Sequence, residues 1–288
     1  MTARKAPGRR TPDGEPGGDV PVSPGTAPRG RHIGWVNRIG LWTLFWRDLL
    51  RDLEIWKVTI AAPALQAVLF ALIFELALGD ASLTMAGLDF AAFLVPGLVA
   101  FAVLERGFES TAYMMVYDKL EGMITDVIGA PLTAAEMAVG FGLMAAVSAV
   151  ITGIATWLAL LPFLAAPPAA PGLLLLFAFG GGLMMGLVGL VGGLWADKWD
   201  HISAVQSFVV IPLVYMSGVF FSLDRLPDGL RAAAALNPVY YVIDGMRYGI
   251  SGSAEADPGT GFAVMAATVA ALWCLCWRLL ASGYKLKP

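Results

Sequence analysis

Three charged residues, Glu105, Arg106 and Glu109, interrupt a long apolar stretch of the sequence. Glu105 and Glu109 are one helical turn apart, and Arg106 is three residues from Glu109, a spacing at which helical side chains meet. If this stretch crosses a membrane, the charges are costly and should face a partner or a water-filled space. Two interpretations stay open: a local ion pair near the inner headgroups, or side chains that line a polar route or a gate.

Sequence patterns that carry catalysis are missing. There is no Gly-x-x-x-x-Gly-Lys-Ser/Thr sequence, so the chain has no phosphate-binding loop of its own. His32 and His201 have no second ligand at metal-binding spacing. Cys274 and Cys276 are two residues apart on a predicted helix and point to different faces, so they cannot share a metal ion. We therefore expect no enzyme site, no metal and no cofactor in this chain.

The composition is that of a membrane protein. Of the 288 residues, 58% are apolar and 14% are charged, whereas soluble proteins carry roughly 45–50% apolar and about 25% charged residues. This distribution argues against a soluble enzyme, a nucleic-acid binder and a disordered scaffold, and the two cysteines exclude a disulfide framework. We predict an all-α integral membrane protein.

Six stretches are long enough to cross the hydrocarbon core, which needs about 20 mostly apolar residues. Clustered prolines separate the third stretch from the fourth, because no single helix tolerates them at such density. A charged segment separates the fourth from the fifth. The predicted spans are about 57–78, 90–114, 135–163, 170–195, 202–221 and 260–281.

The fourth predicted span carries glycines at every third or fourth position, at Gly182, Gly186, Gly189 and Gly193. Such spacing of small residues lets helix backbones approach closely in lipid. It predicts packing inside the helix bundle. A subunit interface or a moving surface is the alternative.

Lys and Arg are unevenly divided between the two sides that six spans define. Fourteen lie on the side of the N-terminal segment and three on the other side. Because cytoplasmic loops are rich in Lys and Arg, both termini are predicted to be cytoplasmic. The expected location is the cytoplasmic (inner) membrane, with a multi-pass topology.

The segment before the first span has two parts. Residues 1–32 are rich in Gly, Pro and Arg, which is typical of a disordered cytoplasmic tail. In residues 33–56, apolar residues that include four tryptophans recur at steps of three and four, and charged residues fall largely on the opposite side. This pattern predicts an amphipathic helix that lies in the headgroup plane. Residues 57–288 are then expected to form a six-helix transmembrane domain.

The inner loop between the second and third spans contains a predicted short amphipathic helix, at about 118–128, which Gly129 and Pro131 close. A second helix is expected to begin behind Thr133, with Glu136 as its capping partner. A compact helix that projects from the cytoplasmic face is suited to dock in a groove of another protein.

The outer segment after the fifth span is too apolar for a solvated loop and too short to cross the membrane. It predicts two helices, at about 225–236 and 238–250. Asn237 is the expected N-cap of the second helix, and Pro238 is expected at its first position.

These two loops resemble those of the type-2 permeases, the membrane subunits of ATP-binding-cassette exporters of polysaccharides, nodulation signals and hydrophobic drugs. The most specific match is the Ser-Gly-x-Phe-Phe…Leu-Pro…Leu-Asn-Pro…Asp-Gly-x-Arg…Gly series at 217–252. The Glu-Gly…Asp…Pro-Leu…Glu series at 121–136 looks like the coupling helix of that family. The resemblance extends over about residues 33–281.

The resemblance implies a dimer of permeases over two separate ATPase subunits, which would bind the ATP and Mg. It also implies that the helices at 223–250 dip into the outer leaflet as a re-entrant hairpin before the last span. The residues implied at the ATPase contact are Asp118, Glu121, Gly122, Asp126, Pro131 and Leu132. Those of the hairpin are Leu226, Pro227, Asn237, Pro238, Asp244 and Arg247.

We therefore expect the permease subunit of an exporter that moves an amphipathic or lipid-linked substrate out of the cytoplasm or inner leaflet. A long charged glycan is not favoured, because the spans offer few aromatic or basic residues. The alternative is a secondary transporter driven by an ion gradient, which would favour inverted repeats; the two halves show no convincing repeat. A membrane enzyme or assembly factor is disfavoured by the missing chemistry. A homodimer is expected, with a heterodimer of related permeases as the alternative.

Overall fold

The computed structural model describes residues 36–78, 84–85, 88–163, 167–223 and 227–286. The predicted tail at 1–32 and Leu226 lie outside the described residues. Over these residues the chain is helical apart from one antiparallel pairing of two short strands, β1 (Thr84–Met85) and β2 (Leu88–Asp89). The helices, in chain order, are α1 (Arg38–Glu54), α2 (Ala62–Leu78), α3 (Phe90–Leu120), α4 (Ile124–Gly129), α5 (Ala134–Ala159), α6 (Pro171–Trp195), α7 (Trp199–Val205), α8 (Ile211–Val214), α9 (Asp228–Ala235), α10 (Pro238–Ser251) and α11 (Pro258–Ala281).

Five helical segments of the described residues are long and apolar enough to cross a membrane. They coincide within a few residues with five of the six predicted spans. The remaining predicted span, 90–114, lies within α3, which is 31 residues long and contains the three internal charges. The five segments are Lys57–Ala77, Ala134–Ala159, Pro171–Trp195, Trp199–Val219 and Pro258–Ala281.

α3 is the central helix of the bundle. It packs most extensively against α6 and α5, and its side chains from Phe93 to Leu104 are buried. α2 and α11 lie at the periphery, and most of their side chains are exposed. This arrangement is expected for a membrane bundle, in which the outermost helices turn apolar side chains towards lipid.

The glycines of α6 are a packing surface inside this bundle. A Cβ atom at Gly182 or Gly186 would lie 2.6 or 2.3 Å from an alanine Cβ of α5. A Cβ atom at Gly189 would lie 2.2 Å from the Phe108 carbonyl oxygen of α3. Since the glycines meet α3 and α5 directly, the prediction of internal packing is confirmed.

The fifth predicted span is an irregular helix. α7 and α8 alternate with two π-helical segments, Gln206–Val210 and Tyr215–Val219. In the second of these, Ser217 and Gly218 leave the helical conformation. Gly218 has a φ of +85°, which glycine adopts more readily than other residues. Such π-helical turns are frequent at functional sites.

Two loop boundaries differ from the prediction. The expected helix at 118–128 is divided, because α3 continues to Leu120 and the chain turns at Gly122, where φ is +75°. α4 begins only at Ile124 and has six residues. The charged break before the fifth span is also shorter than predicted, because residues 199–201 already belong to α7.

α1 confirms the predicted amphipathic helix, but part of its charged side is buried. Trp42 and Trp46 are exposed, with stacked rings whose centroids are 5.7 Å apart. On another side of the helix, Asp48 and Asp52 are buried together with Leu44. α1 packs against α5, so part of its charged side is a packing surface rather than a solvated one.

Candidate functional site

Segments that are distant in sequence meet at one end of the bundle. The Asn37 backbone N–H donates to Glu136 Oε1 at 2.6 Å, and the Asn37 side chain donates to the Pro131 carbonyl at 3.0 Å. The last carbonyls of α6 accept hydrogen bonds from Lys119, at the end of α3, and from Lys285, after α11. The start of α1, the loop after α3, the end of α6 and the C-terminal segment therefore lie at the same end.

The loop after α3 has an anchored side and an exposed side. Ile124 and Val127 of α4 are buried among apolar side chains of α1, α3 and α5. Thr133 and Glu136 form a capping box at the start of α5, which confirms that prediction. Of the residues predicted at the ATPase contact, Leu132 is half-buried, and the exposed ones are Glu121, Gly122, Asp126 and Pro131.

Asp118 does not share the exposed side of this loop. It is fully buried, and Arg51 of α1 donates to its Oδ1 at 2.7 Å. Asp48 is buried nearby and accepts a hydrogen bond from Arg47 Nε at 2.8 Å. Burial raises the pKa of the Asp48 carboxyl to about 6, against the opposing effect of the Arg47 guanidinium. In this fold, Asp118 attaches α3 to α1.

Arg106 stands at the centre of a polar network. It forms an ion pair with Asp52 of α1, and its Nε donates to Ser148 Oγ of α5 at 3.1 Å. Ser148 in turn donates to Asp52 Oδ2 at 2.5 Å. Arg106 Nη1 also lies 3.5 Å from Glu109 Oε2. The predicted local pair of Arg106 and Glu109 is thus one part of a contact among three helices.

Gln206 connects the two glutamates of α3 to the fifth span. Its Nε2 donates to Glu109 Oε1 at 2.6 Å and to Glu105 Oε1 at 3.3 Å, and its Oε1 accepts from the Tyr113 hydroxyl at 2.7 Å. Gln206 is also the first residue of a π-helical segment. The polar network therefore links α1, α3, α5 and the irregular span.

A groove of about 540 Å³ opens beside the polar network. It is lined by the end of α1, the π-helical segment Lys57–Ala61 that leads into α2, the second half of α3, and Trp199 of α7. Arg106 and Glu109 lie in its wall, whereas Glu105 lies outside it. Arg106 and Glu109 share an ion pair and also face a cavity, so both interpretations of these charges fit the structure. Their place in a transport route stays a prediction.

The predicted hairpin residues connect α10 to the kink of the fifth span. Asn237 caps α10 and Pro238 stands at its first position, so both of these predictions are confirmed. Asn237 Nδ2 donates to Ser217 Oγ at 2.6 Å, and Arg247 Nη2 donates to the Gly218 carbonyl at 2.7 Å. The two parts of the 217–252 series are thus bonded to each other.

Asp244 and Arg247 are buried together on α10. Arg247 Nη1 lies 3.6 Å from Asp244 Oδ1, and its guanidinium lies 4.0 Å from the centre of the Phe93 ring. Asp244 accepts hydrogen bonds from the backbone N–H groups of Glu255 and Ala256. The Asp-Gly-x-Arg motif therefore fixes α10 between α3 and the loop that precedes α11.

The sequence interpretation missed Asp52, Ser148 and Gln206 as members of the polar network. Asp52 stood among other charges of an amphipathic helix, and Ser148 is a small residue with no distinctive spacing. Gln206 carried a usable signal, because an amide within an apolar span needs a polar partner. Among the described residues, no group of three or more His, Cys, Asp or Glu side chains is arranged to hold a metal ion.

The sequence of this chain matches the ABC-2 type transporter family over residues 40–250. The chain therefore belongs to this family. Its permeases are the membrane components of transporters and act with a separate ATP-binding subunit. The resemblance drawn from the two loops is confirmed, and the chain is a multi-pass membrane protein.

Individual proteins that are similar to this chain are named as a transport permease or as nodulation proteins. The inner membrane transport permease YadH of Escherichia coli (strain K12) is 29% identical over 259 residues, which cover 89% of this chain and 99% of that protein. Nodulation protein J of Rhizobium leguminosarum bv. viciae is 26% identical over 217 residues, which cover 72% of this chain and 80% of that protein. The corresponding protein of bv. trifolii is 28% identical over 223 residues.

Proposed function

We propose that this chain is the permease subunit of an ATP-binding-cassette exporter in the inner membrane. It moves an amphipathic or lipid-linked substrate out of the cytoplasm or inner leaflet, and a separate subunit binds and hydrolyses the ATP. Family membership supports the transporter, and similarity to a protein named as an inner membrane permease supports the location. Two copies of the permease form the working dimer, with a heterodimer of related permeases as the other arrangement.

The observation that carries the proposal is the exposed loop after α3, which is anchored to the membrane helices at several points. Asn37 bonds it to the start of α1, and the Arg51–Asp118 pair joins α1 to the end of α3. When ATPase subunits close, a displacement of this loop would pass through α1 and α3 into the polar network. Gln206 would transmit it to the fifth span.

We assign α3 as a further span, which brings the total to six. The reason is the number of membrane crossings needed between two segments that contact each other. α2 is a candidate span, and it lies between Asn37 and Pro131 in the sequence. Asn37 and Pro131 are bonded to each other and therefore lie on one side of the membrane. An even number of crossings would then separate them, which supports α3 as the helix that returns the chain to that side. The excess of Lys and Arg supports a cytoplasmic location for this side.

Two further elements, the α9–α10 pair and α1, are assigned positions relative to the membrane. α10 is buried by α6, α11 and α3 along most of its length, which supports a re-entrant hairpin of α9 and α10 in the outer leaflet. Pro227, just before α9, is exposed. The exposed tryptophans of α1 support its position in the inner headgroup plane, because amphipathic tryptophan side chains favour that region.

The decisive experiment is co-purification with the ATP-binding subunit encoded beside it. The full chain alone should hydrolyse no ATP, and the complex should. Glu121→Arg combined with Asp126→Arg should weaken the complex by about tenfold or more, because charge reversal opposes complementary groups across an interface. Glu75→Gln, which removes an exposed carboxylate of α2 outside this loop, is the control. Normal assembly and ATP hydrolysis with the double variant would contradict the proposal.

A further inference from the structure

The groove beside the polar network has an excess of negative charge. Two of its charged side chains are guanidinium groups, and both already have carboxylate partners: Arg51 bonds Asp118, and Arg106 bonds Asp52. The Glu54 side chain is exposed, and its carboxylate forms no hydrogen bond or ion pair with any other described residue. The charged residues of the groove wall are Arg51, Asp52, Glu54, Arg106 and Glu109.

Glu109 is only partly neutralised. Its Oε2 lies 3.5 Å from Arg106 Nη1, while Arg106 makes its closer contact with Asp52. The Glu109 side chain is 27% exposed, so one part of this carboxylate is accessible from the groove. Glu54 and Glu109 are therefore the two negative groups that a bound molecule could meet.

Aromatic rings stand in the same wall. The Tyr113 and Trp199 rings are stacked, with centroids 6.0 Å apart, and Tyr117 lies 6.4 Å from Trp199. Tyr117 and Trp199 are exposed, and the Arg51 guanidinium lies over the Tyr117 ring, 5.5 Å from its centre. Ring faces attract organic cations, and the attraction grows when the cation is shielded from water. Carboxylates beside exposed ring faces are the chemistry that recognises an alkylated or protonated amine.

Apolar side chains complete the groove on the side of α2. Ile55 and Val58 are exposed apolar residues of its wall, at the junction between α1 and α2. A volume of about 540 Å³ lies within the range of roughly 300–1,000 Å³ that small-molecule sites occupy. The groove thus offers an apolar surface for a hydrophobic body next to a negative, aromatic surface for a charged head.

We infer that this groove binds an amphipathic organic cation, with Glu54 and Glu109 as its counter-charges and Trp199 as its ring contact. The inference rests on the proposed export function and specifies the substrate class: a molecule with an apolar body and a cationic head, taken from the side on which α1 lies. Arg51 and Arg106 serve the groove indirectly, because the closest carboxylate partner of each is an aspartate, Asp118 for Arg51 and Asp52 for Arg106.

Two probes of similar shape and opposite charge test this inference. The full chain in phosphatidylcholine nanodiscs is titrated with tetraphenylphosphonium and, separately, with tetraphenylborate, and binding to empty nanodiscs is subtracted. Saturable binding is expected for the cation and none for the anion. Glu54→Gln should weaken cation binding by about tenfold, because one charge interaction at close range is lost. Glu54→Lys should weaken it further and raise the affinity for the anion.

A matched control and a folding check accompany these variants. Glu75→Gln removes an exposed carboxylate of α2 outside the groove and should leave cation binding unchanged. Glu54 has no partner among the described residues, so its variants should keep the melting temperature and the gel-filtration profile of the parent chain. Trp199→Leu should weaken binding of the cation through loss of the ring face.

Three outcomes would overturn the inference: equal saturable binding of both probes, unchanged cation binding in Glu54→Gln and Glu54→Lys, or no saturable binding of either probe. The last would also be the result if a second copy of the chain covers the groove. The titration needs no ATPase, so it can fail while the complex still assembles and hydrolyses ATP. Conversely, loss of the ATPase complex would leave a cation site on the chain in place.

Discussion

Asp52 on α1 and Arg106 on α3 form a buried ion pair, although 54 residues separate them in the sequence. Each side chain is 6% exposed, and Ser148 of α5 bonds to both. Removal of one partner from such a pair leaves an uncompensated charge in a poorly hydrated site. α1 is therefore held to the central helices by charge as well as by apolar packing, and the groove depends on this attachment.

Replacement of Arg106 by Met should lower the free energy of unfolding by about 3–5 kcal/mol, because it leaves the Asp52 carboxylate buried with only Ser148 as a partner. The double variant Asp52→Asn, Arg106→Met should recover a large part of this loss. Thermal unfolding in detergent measures both. Arg38→Met, at an exposed position of α1, is the control and should have little effect. Equal melting temperatures for Arg106→Met and Arg38→Met would contradict the structural role of the pair.

Gly189→Ala should destabilise the bundle by about 1–3 kcal/mol, the usual cost of overpacking a core. The new Cβ would lie 2.2 Å from the Phe108 carbonyl oxygen and 2.5 Å from Thr111 Oγ1, so the backbones of α3 and α6 must separate. Gly172→Ala in the same helix is the matched control, because no atom lies within 4 Å of its Cβ position. If unfolding temperatures show both variants to be equally stable, α3 and α6 are not in the described contact.

The sequence predicts the helices well because their signals are local. Long apolar stretches, the proline cluster and the Thr133–Glu136 cap each act within a few residues, and the helix bounds agree with them. The glycine spacing of α6 also predicts its role correctly, since close packing needs small residues wherever two helices touch. The helix bound at 118 was wrong because tertiary contacts of α3 extend it to Leu120.

The polar network could not be predicted in the same way, since it depends on contacts between distant segments. Asp52, Ser148 and Gln206 meet Arg106 or Glu109 across 42 to 97 residues of sequence. Periodicity could show that α1 is amphipathic, but it could not show that part of the charged side is buried. Asp118 illustrates the same limit, because its partner Arg51 is 67 residues away.

Asp48 should make the stability of α1 packing depend on pH. Burial raises the pKa of its carboxyl from 3.8 to about 6, so the folded state binds a proton more tightly than the unfolded state. This contribution is fully present below pH 3.8 and is lost as pH rises through about 6, a difference of about 3 kcal/mol. Arg47, Arg51 and Asp118 are the charged groups around it.

Asp48→Asn should remove this component. The melting temperature of the variant should therefore fall less between pH 4.5 and pH 7 than that of the parent chain. Parallel pH profiles for Asp48→Asn and the parent chain would show that the ionisation of Asp48 does not differ between the folded and unfolded states.

The six-span topology predicts which residues an impermeant thiol reagent can reach from outside the cell. In a background without Cys274 and Cys276, single cysteines are placed at three exposed positions: Thr125 in α4, Ala235 in α9 and Ser282 after α11. In the proposed topology, two crossings separate Asn37 from the loop after α3, and the contacts of Lys285 place the C-terminal segment at the end of α6. Thr125→Cys and Ser282→Cys should therefore react only after the cells are permeabilised.

Ala235→Cys should react in intact cells, because an odd number of candidate spans lies between it and Thr125. Labelling of Thr125→Cys in intact cells would show that α3 does not cross or that the orientation is reversed. Four candidate spans separate Thr125 from Ser282, so these two positions become accessible together in either case. Arg38→Cys, at an exposed position before α2, distinguishes the two cases, since it becomes accessible together with Thr125 only in the reversed topology.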